Sequence, residues 1–554
     1  MTAFEQIDLN SIQDVAGARQ AIVLLFNLIE DQQATIRDLQ AENQRLRDEN
    51  NRLKGEHGKP DIKRNKPPKR PPASDHSSEA ERCQPQAWRK GPKLDRVTIN
   101  REAILTVNPT DLPADAEFKG HEDVVVQDVR FETDNILFHK EKYYSPSAGK
   151  TYLAELPPGY RGQFGPGLKA LALVEYYACN VAEPKLLDLF RSIGVVISAG
   201  ELSNLLIKQQ ADFHAEKAAV YVAGLESSPW QHLDQTSTRV DGVNQQCHVV
   251  CNPLYTAFFT TAHKDRLNVL DVLRNLAART FRFNAEAFEL LHGLGMAQRV
   301  LVQLQALPQE QTLSETGLTA LLDQLAPPPG PVQRQHILEA TAIAAYHAQL
   351  EFPVIRLLLC DDAPQFNWLT DELALCWVHE GRHYKKLTPC VAHHQQLLAE
   401  FQTQFWAFYD QLLAYRQQPS VAEKTRLSAE FDTLFATSTG YEALDARIAK
   451  TRLKKTSLLL VLDHPEIPLH NNPAELAARQ RVRKRDVSFG PQTDDGAKAW
   501  DTFQTLTGTA KKLGVSIYHY IRDRVSQTYE LPSLADLITE RAQQQPLGAS
   551  WDAT

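Results

Sequence analysis

The chain has 554 residues, 43% of them hydrophobic and 23% charged, with a formal net charge of −8. This is ordinary globular composition, long enough for several domains, and it excludes a protein that binds nucleic acid through overall positive charge, so any basic surface must be local. Cys83, Cys179, Cys247, Cys251, Cys360, Cys376 and Cys390 form no C-x-x-C pair, which excludes a zinc ribbon or disulfide framework. No apolar run approaches the roughly 20 residues needed to span a membrane, so a cytoplasmic protein without a membrane segment is expected.

Residues 1–57 are expected to form a coiled coil, with a heptad over residues 20–54. One seam position holds Ile29, Ile36, Asn43 and Asn50, and the other holds Leu25, Gln32, Leu39, Leu46 and Leu53. Asparagine at the first position favours a parallel, in-register dimer, so a homo-oligomer through a coiled coil is expected. Residues 58–96 form a Pro-rich basic linker in which Lys63, Arg64, Lys69 and Arg70 could lie along phosphates. Residues 97–162 tend to alternate with period two and predict a small antiparallel β region. Residues 163–225 read as helices. Within them Ser198 and Glu201 form a capping box after a Gly194 turn, the outline of a helix-turn-helix.

A domain over 226–490 follows. Residues 231–261 predict three short strands joined by turns at Asp241-Gly242 and Asn252-Pro253, with Asp234 on the first strand. Helical stretches at about 275–350 and 385–456 interrupt the domain. Between them, the apolar run from Val354 to Cys360 predicts a buried strand that delivers Asp361, with Asp362 next to it. Ligands collect at the carboxyl ends of strands in open α/β sheets, and Asp361 directly ends this one. An amphipathic segment with Cys376, Trp377, His379 and Arg382 follows. Near residue 472 the order Asn472, Pro473, Glu475 reads as a cap, a first helical residue and a capping-box glutamate. Arg479, Arg481, Arg483, Lys484 and Arg485 crowd the helix beyond, a cation density suited to phosphates or to a solvated face. Helices close the chain over 491–554.

Several blocks resemble the transposases of the insertion sequence 66 family. They are HLDQTSTRVDG (232–242), CDDAPQF with CWVHEGRHYKKL (360–387), HNNPAELAARQRVRKRDVSFG (470–490) and TLTGTAKKLGVSIYHYIRD (505–523). Gln235 stands where that family commonly has Glu. The resemblance implies an α/β ribonuclease-H-like catalytic core with helical insertions, and a triad of Asp234, Asp361 and Glu475 that binds Mg²⁺ or Mn²⁺. It further implies transposon-end and target DNA as partners, accessory proteins, and a nucleoid-associated location. Arg382, Arg479, Arg481, Arg483, Lys484 and Arg485 are then expected to contact DNA.

The chemistry agrees with that implication. Phosphodiester cleavage is served by two divalent ions about 3.5–4 Å apart. Hard cations take oxygen ligands, which carboxylates supply better than His or Cys. Water would nick the element's ends and the freed 3′-hydroxyl would attack the target. The alternatives are a catalytically decayed, coiled-coil DNA-binding regulator and a plain scaffold.

Overall fold

The structure, a computed structural model, describes residues 14–54, 97–113, 115–129 and 131–547. The linker cations Lys63, Arg64, Lys69 and Arg70 lie outside the described residues. No helix among the described residues is long and apolar enough to cross a membrane.

A 39-residue helix, α1 (Val15–Leu53), opens the described chain, and a hairpin, β1 (Lys142–Ser145) and β2 (Lys150–Leu153), follows. Helices α2 (Pro166–Tyr177), α3 (Glu183–Ser192), α4 (Ala199–Ile207) and α5 (Ala211–Glu226) lead into the central sheet. Its strands are β3 (Trp230–Val240), β4 (Val243–Cys251), β5 (Thr256–Thr261), β6 (Leu357–Cys360) and β7 (Glu372–Leu375). Between β5 and β6 lie α6 (Arg266–Leu273), α7 (Ala285–Gly293), α8 (Gln298–Gln305), α9 (Glu315–Asp323) and α10 (Pro331–Ala348). After β7 come α11 (Trp377–Lys385), α12 (Ala392–Gln417), α13 (Val421–Leu434), α14 (Glu442–Arg452) and α15 (Lys455–Leu458). The chain ends with α16 (Asn472–Ser488), α17 (Asp494–Lys512), α18 (Ile517–Ser526) and α19 (Leu534–Gln544).

The sheet order is β5-β4-β3-β6-β7. The first three strands are antiparallel neighbours, and β6 and β7 add parallel to β3. The β3–β4 turn has two residues, Asp241 and Gly242, both at positive φ (48° and 73°). That geometry matches the twist of the flanking strands, and Asp and Gly tolerate it. Strand β6 reads Leu-Leu-Leu-Cys and is buried throughout, as a parallel strand covered on both faces requires.

Alternation divides the sheet into two faces. Leu233, Val250, Phe259 and Leu358 point into a core shared with α2, α5, the β5–β6 helices and α17–α19. Trp230, Leu357, Leu359 and Ala374 point the other way, into a second core with Trp377, Phe405, Phe408 and Phe431 from the β7–α16 insertion. On that same face, Cys247, Val249 and Phe258 receive Ala477 and Ala478 of α16. The helices of 163–225 and 491–544 therefore share one core with the sheet.

The outer edge of β5 is closed by side chains. Backbone N–H groups of Thr256, Phe258 and Thr260 donate to Thr509 Oγ1 (3.2 Å), Thr505 Oγ1 (3.0 Å) and Asp501 Oδ2 (2.7 Å). The spacing explains the match. Every fourth helical residue rises about 6 Å, and alternate strand residues advance about 6.8 Å. An edge that would otherwise template another strand is thereby satisfied.

Two expectations need correction. The β region over 97–162 is only the β1–β2 hairpin, and the described residues of 97–141 form no strand. Their apolar side chains, such as Val124, Val126 and Phe131, are exposed, so nothing packs on them to favour a sheet. Strand β7 was not anticipated, because Glu-Leu-Ala-Leu lacks β-branched residues and is held by pairing with β6. The heptad does form one helix. Leu25, Ile29, Ile36, Leu39, Leu46 and Leu53 are exposed along it. Other positions of α1 dock on the insertion. Asn27 bonds Gly440 O (3.0 Å) and the Glu442 N–H (3.1 Å), and Glu30 accepts from the N–H groups of Cys390 and Val391 (2.9 and 2.8 Å).

At Gly381 on α11, an added Cβ would meet the Trp406 ring at 2.5 Å. Gly381→Ala is expected to lower stability by about 1–3 kcal/mol through overpacking, measured by chemical denaturation.

Candidate active site

Strands β3 and β6 run parallel, with Trp230 opposite Leu357 and His232 opposite Leu359. Two residues further along the same register, Asp234 and Asp361 come level. In the antiparallel pairing Asp234 lies opposite Val249, on the face that α16 covers. Asp234 is half-buried, and its carboxyl is pushed up to about 7. Burial is the main cause, and the negative charges of Asp361 and Glu475 add to it.

The start of helix α16 is anchored to β3 by the Asn471 side chain. Asn471 is buried; its Oδ1 lies 2.9 Å from His232 Nδ1, and its Nδ2 donates to Leu233 O at 2.7 Å. Its backbone N–H points to Cys376 Sγ at 3.2 Å. The Trp377 N–H donates to Leu469 O (2.9 Å), so α11 and α16 start side by side at the strand ends. The N-cap is therefore Asn471 rather than Asn472, and Glu475 is the fourth helical residue rather than the third. Glu475 closes no capping box. Its carboxylate accepts two bonds from Arg382 Nη2, at 2.9 and 3.3 Å.

Arg382 also donates to His379 Nε2 at 2.8 Å, while His379 Nδ1 faces Glu475 at 3.7 Å. Burial lowers the His379 pKa against the pull of Glu475, which keeps the ring neutral. Asp362 is engaged elsewhere. It bonds Lys454 Nζ at 2.6 Å and His383 Nε2 at 3.2 Å. Burial works against its charge, but Lys454 and His383 together hold the carboxyl at about 2. Lys454 also reaches Glu380 on α11 (2.9 Å), and Arg447 pairs with Glu380 as well. Sequence reading missed Lys454, Arg447 and the Asn471 anchor, because their partners lie more than 60 residues away and no local pattern marks them.

Among the described residues, two groups have potential metal-ligand atoms mutually within 4.8 Å: Cys376, His379 and Glu475, and Asp362, Glu380 and His383. The second group already holds the Lys454 and Arg447 cations. In the first, burial pushes the Cys376 thiol up to about 12, so it is a protonated acceptor for backbone N–H groups. A hard divalent ion is suited by carboxylate oxygens rather than by a protonated thiol. The half-buried Asp234, under the charges of Asp361 and Glu475, is an electrostatic setting that a bound cation would relieve.

The cations expected to meet DNA divide. Arg479 and Arg483 are exposed. Arg485 donates to Ser237 O at 2.5 Å, and Arg382 is committed to Glu475. Arg481 and Lys484 do not face solvent. Arg481 is fully buried and paired with Asp501. Lys484 is fully buried, donates to Tyr176 O and lies 3.3 Å from the centroid of the Tyr176 ring. The expectation that these two contact DNA is corrected: at i and i+3 they share the helix face that packs inward.

Asp234→Asn is expected to raise the thermal stability of the metal-free protein at pH 8. A carboxyl raised from 3.8 to about 7 on folding favours the folded state below pH 4, and that contribution is lost as pH rises through 7. The gain from the substitution should therefore shrink as pH falls from 7 towards 4, read as melting temperature against pH.

Residues 351–499 match the family model described as "Transposase IS66 family". The chain is also 31% identical over 324 residues, 58% of this chain and 99% of the relative, to "Uncharacterized protein y4jO" of Sinorhizobium fredii (strain NBRC 101917 / NGR234).

Proposed function

The chain belongs to the transposase IS66 family, and on that premise we propose that it cleaves DNA at the ends of a mobile element and joins them to target DNA through Asp234, Asp361 and Glu475. The observation that carries this reading is the convergence of Asp234, Asp361 and Glu475 from two adjacent strands and one helix, with the carboxyl of Asp234 displaced to about 7 by burial and by the other two. The strand order, three antiparallel neighbours followed by two parallel additions, supports a ribonuclease-H-like core.

Divalent ions, when bound, supply charge neutralisation at the scissile phosphate and an activated nucleophile. The chain's own residues do the rest. Asp234 and Asp361 offer oxygens from neighbouring strand ends, and Glu475 offers them from the first turns of α16. Arg382 orients Glu475 with two hydrogen bonds. Neutral His379 accepts from Arg382 and fixes its guanidinium. Arg479 and Arg483 are one helical turn apart and outward, suited to successive phosphates. The exposed heptad seam of α1 supports a parallel dimer, and the α3–α4 pair with its Ser198–Glu201 capping box supports a helix-turn-helix.

The decisive assay is Mg²⁺-dependent strand cleavage and joining on DNA carrying the element's ends. Glu475→Gln should bind that DNA and lose cleavage by about 100-fold or more, the scale of losing a charge-stabilising group. Asp362→Asn should keep cutting. If Glu475→Gln cuts like wild type, the triad is wrong. Wild type that binds without cutting would favour the regulator.

DNA affinity against salt separates the cations. Arg479→Ala and Arg483→Ala should each reduce the slope of log affinity against log salt by about 1. Lys484→Met should leave it unchanged, because that ammonium is buried.

A further inference from the structure

Helix α16 lies along β3 and is fixed to it at both ends. At its start, Asn471 donates to Leu233 O at 2.7 Å. At its end, Arg485 donates to Ser237 O at 2.5 Å, and the Asp241 N–H donates to Pro491 O at 3.0 Å. Gly490 presses so closely on the strand that a Cβ there would stand 2.6 Å from Arg239 O. One side of the helix therefore rests on the sheet, and the other faces solvent in a register set at both ends.

Three observations describe the outward side. First, Arg479, Arg483 and Val487 follow Glu475 at four-residue intervals, so they occupy successive turns on one side of the helix. All three are exposed. Second, the helix ends on Phe489, whose side chain is open to water: the residue is 83% exposed. Gly490 and Pro491 beyond it are buried against the strand, so the ring points away from the sheet. Val243, across the β3–β4 turn from Val240, is exposed at the same end of the sheet. Third, Phe489 has φ 59° and forms the left-handed C-cap of α16, with its N–H on Arg485 O at 2.7 Å. Bulky residues rarely adopt this conformation, and caps of this kind are usually glycine.

A ring this exposed contributes little to the chain's own packing, and the cations beside it indicate what covers it. Two guanidinium groups one helical turn apart match successive phosphates. The exposed acid nearby, Asp486, is faced by Arg485 at 3.7 Å. An apolar side chain set among phosphate contacts is of the type that wedges between base steps and kinks a duplex.

We infer that Phe489 is a DNA wedge: Arg479 and Arg483 hold the backbone of a duplex whose scissile phosphate lies at Glu475, and the Phe489 ring enters a base step and unstacks it. This rests on the transposase reading. The stretch of helix from Glu475 to Phe489 rises about 21 Å, and base pairs stack about 3.4 Å apart. The opened step therefore lies within about six base pairs of the cut. Pyrimidine–purine steps open most easily, so the wedge gives sequence preference at a position that no side chain hydrogen-bonds.

The test uses the full chain with Ca²⁺ replacing Mg²⁺, so that binding is read without cutting. The duplexes carry either the element's terminal repeat with its flank or unrelated target sequence. One adenine at a time is replaced by 2-aminopurine, whose fluorescence rises when it unstacks. Wild type should raise the signal at one step within about six base pairs of the cleavage position. Phe489→Ala should melt as wild type, bind about tenfold more weakly and give no rise at saturating protein. Phe489→Leu, still apolar, should keep most of the rise, and Arg483→Ala should weaken binding yet keep the rise at saturation. A rise on the terminal repeat alone assigns the wedge to the element's end, on unrelated sequence alone to the target, and on both to duplex DNA in general. An equal rise from Phe489→Ala, or no rise from bound wild type on either duplex, overturns the wedge, and the transposase reading stands if wild type cuts with Mg²⁺. A Phe489-dependent rise in a protein that never cuts removes the catalytic reading and leaves the wedge standing. Wild type that binds neither duplex removes both.

Discussion

The arrangement of the site depends on Asn471. Its side chain spends both ends on β3, at His232 and Leu233, and its N–H faces Cys376 at the start of α11. One buried amide thus joins the strand carrying Asp234, the helix carrying Glu475 and the helix carrying Arg382. A buried amide left without partners costs about 1–3 kcal/mol, so the geometry that satisfies it is strongly favoured over nearby ones. The usual N-cap duty is given up for this anchor, and Glu475 is released from capping to face Arg382.

Gathering carboxylates in a half-buried place is unfavourable unless charge is supplied nearby. Different cations serve different acids. Arg382 attends Glu475, and Lys454 with His383 attends Asp362. Arg447 and Lys454 attend Glu380, which is only 2% exposed. For Asp234, burial and the charges of Asp361 and Glu475 outweigh a backbone N–H and the more distant Arg382, and its carboxyl is pushed up to about 7. Asp361 and Asp362 are adjacent in sequence but opposite in circumstance: one comes level with Asp234 at the sheet end, the other is neutralised against the insertion.

The two helical insertions have separate structural consequences. The helices between β5 and β6 continue the core beneath one sheet face. The helices between β7 and α16 build a second, aromatic-rich core on the other face, around Trp377. Through Arg447, Thr451 and Lys454 they hold Glu380 and so set the rotation of α11, on which His379 and Arg382 sit. Helix α1 docks on this same insertion by a face distinct from its heptad seam.

Much of this was legible in the sequence where the determinant is local. The Asp241-Gly242 turn, the three-strand meander, the Leu-Leu-Leu-Cys strand before Asp361 and the Ser198–Glu201 capping box depend on neighbours a few residues apart, and short-range patterns record them. The proposed triad was reached only through family resemblance, since Asp234, Asp361 and Glu475 are separated by more than a hundred residues each and no spacing rule connects them. Tertiary structure alone decided the rest. It placed Glu475 one position later in its helix, because Asn471 bonds to a strand 239 residues away. It made β7 a strand by pairing, against weak propensity. It also turned Arg481 and Lys484 into core residues, because Asp501 and the Tyr176 carbonyl wait for them inside. A cation's side of a helix follows from its neighbours along the helix, but whether that side is water or protein depends on what the remainder of the chain brings to it.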